Sequence, residues 1–246
     1  MKHWKPAVIA ALWSGALYAA PMPVVASFSI LGDVAQQIGG ERVGVQNLVG
    51  ANQDAHAYNL TSGDIKKIRE ARLVLLNGLG LEKAELQRAV KQSKVASAEA
   101  TAGIKPLAAD EHHHEHNHGH DHDHGEFDPH VWNDPVLMQR YAANVAIALI
   151  KADPAGSRYY QQRFKDYQHV LNQLNNYANQ QFGAVAPAKR KVLTGHDSFA
   201  YLGKRYQVKF ISPQGVSSEA EPSARQIAAI IRQIKAENVK AVFTEN

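Results

Sequence analysis

The sequence predicts an α/β protein with two Rossmann-like βα lobes joined by a long rigid helix. Three observations carry this. Short apolar runs alternate with helix-patterned segments from Val24 to Ala98 and again from Lys191 to Thr244, the mark of right-handed βαβ units on parallel sheets. Between these blocks an uninterrupted helical pattern of roughly 28 residues would extend about 42 Å, long for one small domain and suited to a strut beside two. Histidines follow strand ends in both blocks, where open α/β sheets bind their ligands.

In chain order, Val24 to Ile30 reads as a strand and Leu31 to Ile38 as a short helix closed by Gly39-Gly40. Val43 to Val49 is the second strand, Asp54 to Tyr58 a loop, and Ser62 to Ala71 a helix. Leu73 to Asn77 is continuously apolar up to its last residue and bounded by Gly78, as a buried parallel strand should be. A helix over Leu81 to Gln92 and a weak strand over Val95 to Ala98 complete the first block. Pro135 opens a helix to Lys151, proline being favoured in the first turn. Asp153-Pro154 starts the long helix, whose Tyr160, Phe164, Tyr167, Leu171, Leu174, Ala178 and Phe182 form one predicted apolar stripe. After a break at Gly183 to Ala188 come a strand (191–194), a helix (199–206), a strand (208–211), a loop (212–222), a helix (223–237) and a strand (239–244). The expected organisation is a leader over 1–20, a first lobe over 21–152, a linking helix over 153–183 and a second lobe over 184–246. Because the second block ends on a strand at about half the first block's length, that lobe is expected to be incomplete.

Composition narrows the function. The chain of 246 residues is 45% apolar and 20% charged, with a formal net charge of +4 and no block of Lys or Arg, so nothing suggests nucleic acid. Cysteine is absent, which removes disulfides, thiolate metal sites and thiol nucleophiles. Met1-Lys2-His3-Trp4-Lys5, the apolar run Ala7 to Ala20 and the small residues before Pro21 form a secretory signal pattern. A periplasmic location is expected, and the cut is unfixed because Pro21 hinders cleavage after Ala20.

Nine of the thirteen histidines fall between Glu111 and Pro135. His112, His113, His114, His116, His118, His120, His122 and His124 alternate with acids and glycines, a composition that builds no core and predicts a loop over 111–126. Neutral imidazole is the commonest protein ligand for zinc, so the loop reads as a collector of divalent metal. A purification tag would sit at a terminus. His130 differs, with Pro129 before it and Phe127 and Trp132 on either side, as an ordered residue of a folded site would be.

His169 lies mid-helix among polar neighbours and reads as solvent-facing. His56, His130 and His196 each stand beside a turn former or small residue after a strand. If the lobes face each other, the three imidazoles meet in the interlobe cleft. Zinc takes four ligands, so one position is left for a carboxylate or water, and Asp54, Asp197, Glu219 and Glu221 are the candidate carboxylates.

Asp54-Ala55-His56-Ala57-Tyr58, Asp128-Pro129-His130-Val131-Trp132 and Thr194-Gly195-His196-Asp197-Ser198-Phe199 resemble the three histidine motifs of the metal-specific (cluster A-I) solute-binding proteins of ABC transporters, above all the zinc-uptake type. Glu219 to Ser223 and Phe243 to Asn246 also resemble family segments. The resemblance implies a Zn(II) cargo held by His56 and His130 from the first lobe and His196 from the second. It implies delivery to a membrane permease by a monomer, the loop raising the local metal supply or accepting metal from a chaperone. A late aspartate that often serves as fourth ligand would fall beyond Asn246. Ala55 and Asn59 stand where many members have proline and glutamate, which implies a less stiff loop around His56. Both the ordered site and the loop are expected to weaken as pH falls through ~6.5.

Three other readings stay open on the residues alone. A manganese or iron member of the same family would differ only in cargo. A three-histidine zinc site with a bound water could hydrolyse substrates, although the chain has no His-Glu-x-x-His helix and no nucleophile elbow. A passive buffer would use the loop alone.

Overall fold

The computed structural model describes residues 20–109, 127–214, 222–239 and 241–243. Strands β1 (Met22–Phe28), β2 (Val43–Val49), β3 (Leu73–Leu76) and β4 (Ala96–Glu99) form a parallel sheet in the order β2-β1-β3-β4. Its central strands β1 and β3 are apolar on both faces because both faces are covered, whereas the edge strands β2 and β4 carry exposed residues. Val24, Ala26, Phe28, Leu73 and Leu75 enter one core, with α1 (Ser29–Gly39), α4 (Pro135–Ala152) and α5 (Ser157–Ala184). Their alternate neighbours Val25, Val74 and Leu76 enter a second core with α2 (Ser62–Glu70) and α3 (Ala84–Ser93). The period of two along each strand thus sorts residues between two helical layers.

Strands β5 (Lys191–Leu193), β6 (Lys209–Ile211) and β7 (Ala241–Val242) make a second parallel sheet in the order β6-β5-β7, with α6 (Ala200–Tyr206) and α7 (Ala224–Glu237). In each lobe the first strand is flanked by the next two. The order therefore reverses beside it, and a crevice opens past the strand ends. Local signals set the helix starts. Thr61 and Asp64 form a reciprocal capping box on α2, Ser223 and Gln226 do so on α7, and Asp134 accepts from the amides of Val136 and Leu137 ahead of Pro135.

The α/β class, the parallel sheets and the long helix are as expected, but several details are not. The first strand ends at Phe28, and Ser29 and Ile30 already belong to α1, where Ile30 is exposed. Helix α3 begins at Ala84, not Leu81, because the Glu82 carboxylate turns back to accept from the amides of Asn77 and Gly78 at 2.6 and 3.0 Å. Gly78 in that turn has φ +88°, a conformation that favours glycine. The apolar stripe on α5 is not continuous. Tyr160 and Leu171 are buried with Phe164 and Tyr167 against the first core, whereas Leu174 is 48% exposed. Contact resumes farther along, where Phe182 stacks on Tyr206 at 5.0 Å and Asn175 accepts from the Tyr206 hydroxyl at 3.0 Å. Leu171, Asn175 and Phe182 make these contacts in turn, and Leu174 lies to one side of that line, open to solvent. Among the described residues no helix is long and apolar enough to cross a membrane.

Candidate metal centre

His56 lies in the loop after β2, His130 just before α4, and His196 between β5 and α6. The structure brings these three rings together. His56 Nε2 is 3.0 Å and His196 Nε2 is 3.4 Å from His130 Nε2, and one ligand nitrogen from each ring lies within 4.8 Å of the others. Nitrogens on a tetrahedral zinc at ~2.0–2.1 Å stand about 3.3–3.4 Å apart. The cluster is at that scale before any rearrangement.

Two of the histidines are placed by the same local device. The Asp54 carboxylate accepts from the His56 amide at 2.8 Å, and the Asp128 carboxylate accepts from the His130 amide at 2.8 Å. An Asp-x-His turn therefore holds each backbone. For His56 this supplies part of the stiffness that proline at position 55 would have given. At the second turn the same Asp128 oxygen also meets His130 Nδ1 at 2.7 Å, with both residues buried. A proton on Nδ1 leaves the Nε2 lone pair facing the other rings, and the adjacent carboxylate makes the imidazole a stronger donor to metal. The other Asp128 oxygen has no hydrogen-bond partner among the described residues.

The His130 segment is held from several sides. Asn77, at the end of β3, donates to the Pro129 carbonyl at 3.2 Å and accepts from the buried Tyr141 hydroxyl at 3.0 Å. Trp132 meets the His130 ring edge-on at 5.0 Å and packs on Phe28 at 4.9 Å. Phe127 does not flank the site as expected. It is exposed and bridges to Ala108 instead. Beside the His56 loop lies a cavity of about 340 Å³ lined by residues including Ala55, Tyr58, Glu82 and Lys83, so this loop borders open space.

Burial, with the neighbouring His130 and His196, pushes the His56 imidazole down to about 4. The ring is therefore neutral at pH 7 and needs no deprotonation before ligation. Its competition with protons moves well below the ~6.5 expected from the unperturbed value. The unfolded chain takes up this proton near 6.5 and the folded chain near 4, so folding stability is full above 6.5 and falls as pH drops through that window. The shift corresponds to at most about 3 kcal/mol. Thermal unfolding of the metal-free protein between pH 7 and 4 should show this slope, and His56→Asn should flatten it.

Of the other candidates, Asp54 and Asp197 do not join the ligand group. Glu219, Glu221, the histidines His112, His113, His114, His116, His118, His120, His122 and His124 of the expected loop, and the expected leader up to residue 19 lie outside the described residues. His169 is exposed on α5, as expected. Asp128 was missed as a functional residue, although its signal, the repeated Asp-x-His at 54–56 and 128–130, stood in the sequence.

Two lobes, parallel sheets, a long connecting helix and a trio of imidazoles define the class of two-lobed metal-binding proteins. The family profile described as "Zinc-uptake complex component A periplasmic" matches residues 24–246. The chain belongs to this family, the solute-binding components of metal ABC transporters, which serve a membrane permease and are not enzymes. Relatives from Bacillus subtilis include the high-affinity zinc uptake system protein ZnuA, 32% identical over 90% of this chain and 70% of its own length. They also include the manganese-binding lipoprotein MntA, 31% identical over 92% of this chain and 71% of its own length. Among solved structures, the periplasmic zinc binding protein TroA from Treponema pallidum superposes with a TM-score of 0.81 at 27% identity, over 91% of this chain and 78% of that one. An Mn-bound periplasmic metal binding protein from Candidatus Liberibacter asiaticus gives 0.76 at 28% identity, over 91% and 79%.

Proposed function

We propose that this chain captures Zn(II) in the periplasm through His56, His130 and His196 and delivers it to the permease of an ABC transporter. The observation that carries the reading is the donor set. Three imidazole nitrogens converge, and among the described residues no carboxylate joins them. Nitrogen donors suit zinc, whereas manganese favours carboxylate, carbonyl and water oxygens. The lobes are assigned to 21–152 and 184–246, with the linking helix over 153–183. The histidine-rich loop 111–126 serves as an auxiliary collector that raises the metal supply near the site.

Competitive titration tests the cargo. Zn(II) should displace Mn(II) from the full-length protein, and Mn(II) holding its place at equal concentration would select the manganese reading, which the MntA relative makes the nearest alternative. Deleting Glu111 to His124 should remove several weak sites and leave one tight site intact. Loss of all binding on deletion would instead identify a buffer that works through the loop alone.

A further inference from the structure

We propose that Tyr201 is a positioning residue for metal binding, acting across the cleft on the turn that carries His130. The proposal rests on the reading of His130 as a ligand. Tyr201 belongs by sequence to α6 of the second lobe, yet its ring is 3% exposed and packs within the core of the first. Its hydroxyl donates to the Asp128 carbonyl at 2.7 Å and accepts from the Leu107 amide at 3.0 Å. Leu107 in turn accepts from the Asp128 amide at 2.9 Å. One phenol thus closes on both sides of the stem at which the chain leaves after Leu107 and returns at Asp128.

The consequence falls on Asp128, whose carboxylate holds both the amide and the Nδ1 of His130. Fixing the Asp128 backbone from the far side limits how far that carboxylate, and the ring attached to it, can swing. Two more ties join the same pair of segments. Asn133 Nδ2 donates to the Ser198 carbonyl at 2.7 Å, and Arg205 pairs with Asp134 at 2.5 Å. His130 and His196 sit within the segments these contacts connect, so their spacing is set by protein contacts before a cation arrives. Pre-set spacing lowers the ordering cost of binding. Tyr201 differs from the other two ties because it alone reaches the residue that orients a ligand ring.

The test is Tyr201→Phe in the full chain, which keeps the buried ring and removes the hydroxyl. Zn(II) affinity is measured by competition with a chromophoric chelator, alone and in a His130→Ala background. Altering the partners that orient a ligand typically costs 10- to 100-fold in metal affinity. Acting one step farther out, Tyr201→Phe should weaken binding by roughly tenfold. In the His130→Ala background the same change should cost almost nothing, because the ring it positions is gone. An unchanged affinity in the single variant overturns the proposal. So does an equal loss in both backgrounds, which would mark a general effect on the fold. Failure of the unmodified protein to bind Zn(II) tightly would be a failure of the functional reading, and it is recognised before either variant is made.

Discussion

Replacing any one of His56, His130 and His196 with alanine is expected to weaken metal binding by between about 100- and 1,000-fold. Zinc held by a full protein ligand set is worth roughly 10–16 kcal/mol. Shared among four ligands, that is about 2.5–4 kcal/mol each, and each ~1.4 kcal/mol is tenfold. The three variants should not behave alike in other respects. His130→Ala leaves the buried Asp128 carboxylate without its ring partner, so it should also unfold more easily. His56 is only part-buried in a loop beside a cavity, so His56→Ala should lose metal while the metal-free fold remains as stable as before or gains. Chelator competition reads the affinity and thermal melts of the metal-free variants read the fold. Retention of full affinity in two of the three variants would remove the trio as the site.

Metal should also raise the melting temperature strongly. A ligand at about 1,000 times its dissociation constant stabilises the folded state by roughly 4 kcal/mol. For a protein of this size each kcal/mol moves the midpoint by about 2–4 °C, so the expected rise is about 8–16 °C. The size of the rise also reports where the ion sits. His56 and His130 come from the first lobe and His196 from the second, so an ion on all three rings ties the lobes together, and both should melt later. An ion held only by the histidine-rich segment 111–126 would leave the midpoint of the folded lobes nearly unmoved. A chelator added after saturation should restore the lower melting temperature.

Much of this was legible in the sequence because strand signals and histidine placement are local. Leu73 to Leu76 could be little other than a central parallel strand, and Pro135 marked a helix start that Asp134 completes. That His56, His130 and His196 would meet followed from their places after strand ends, and the rings do meet. What was not legible depends on partners distant in the chain. Ile30 looked like strand by composition, but the chain had already turned into α1. The stripe on α5 could be read from spacing, yet in its middle the polar Asn175 makes the contact, with Tyr206, while Leu174 lies open. Glu82 carried no visible reason to delay a helix until its carboxylate was seen capping the turn at Asn77 and Gly78. Tyr201 looked like an ordinary helix residue, because the carbonyl it binds lies 73 positions earlier.

The chemistry of the trio has a consequence for charge. Imidazole ligands bring no charge to cancel a dication, and Asp128 stands behind a ring, bonded to its Nδ1, while Asp54 bonds the His56 amide. A loaded cleft therefore keeps an excess of positive charge at the ion itself, which carboxylates behind and beside the rings offset only from a distance. Water in the remaining coordination position would leave that excess intact, whereas a carboxylate would quench it. The arrangement favours an anion as the last donor, and a surface rich in acids would find the filled cleft more attractive than the empty one.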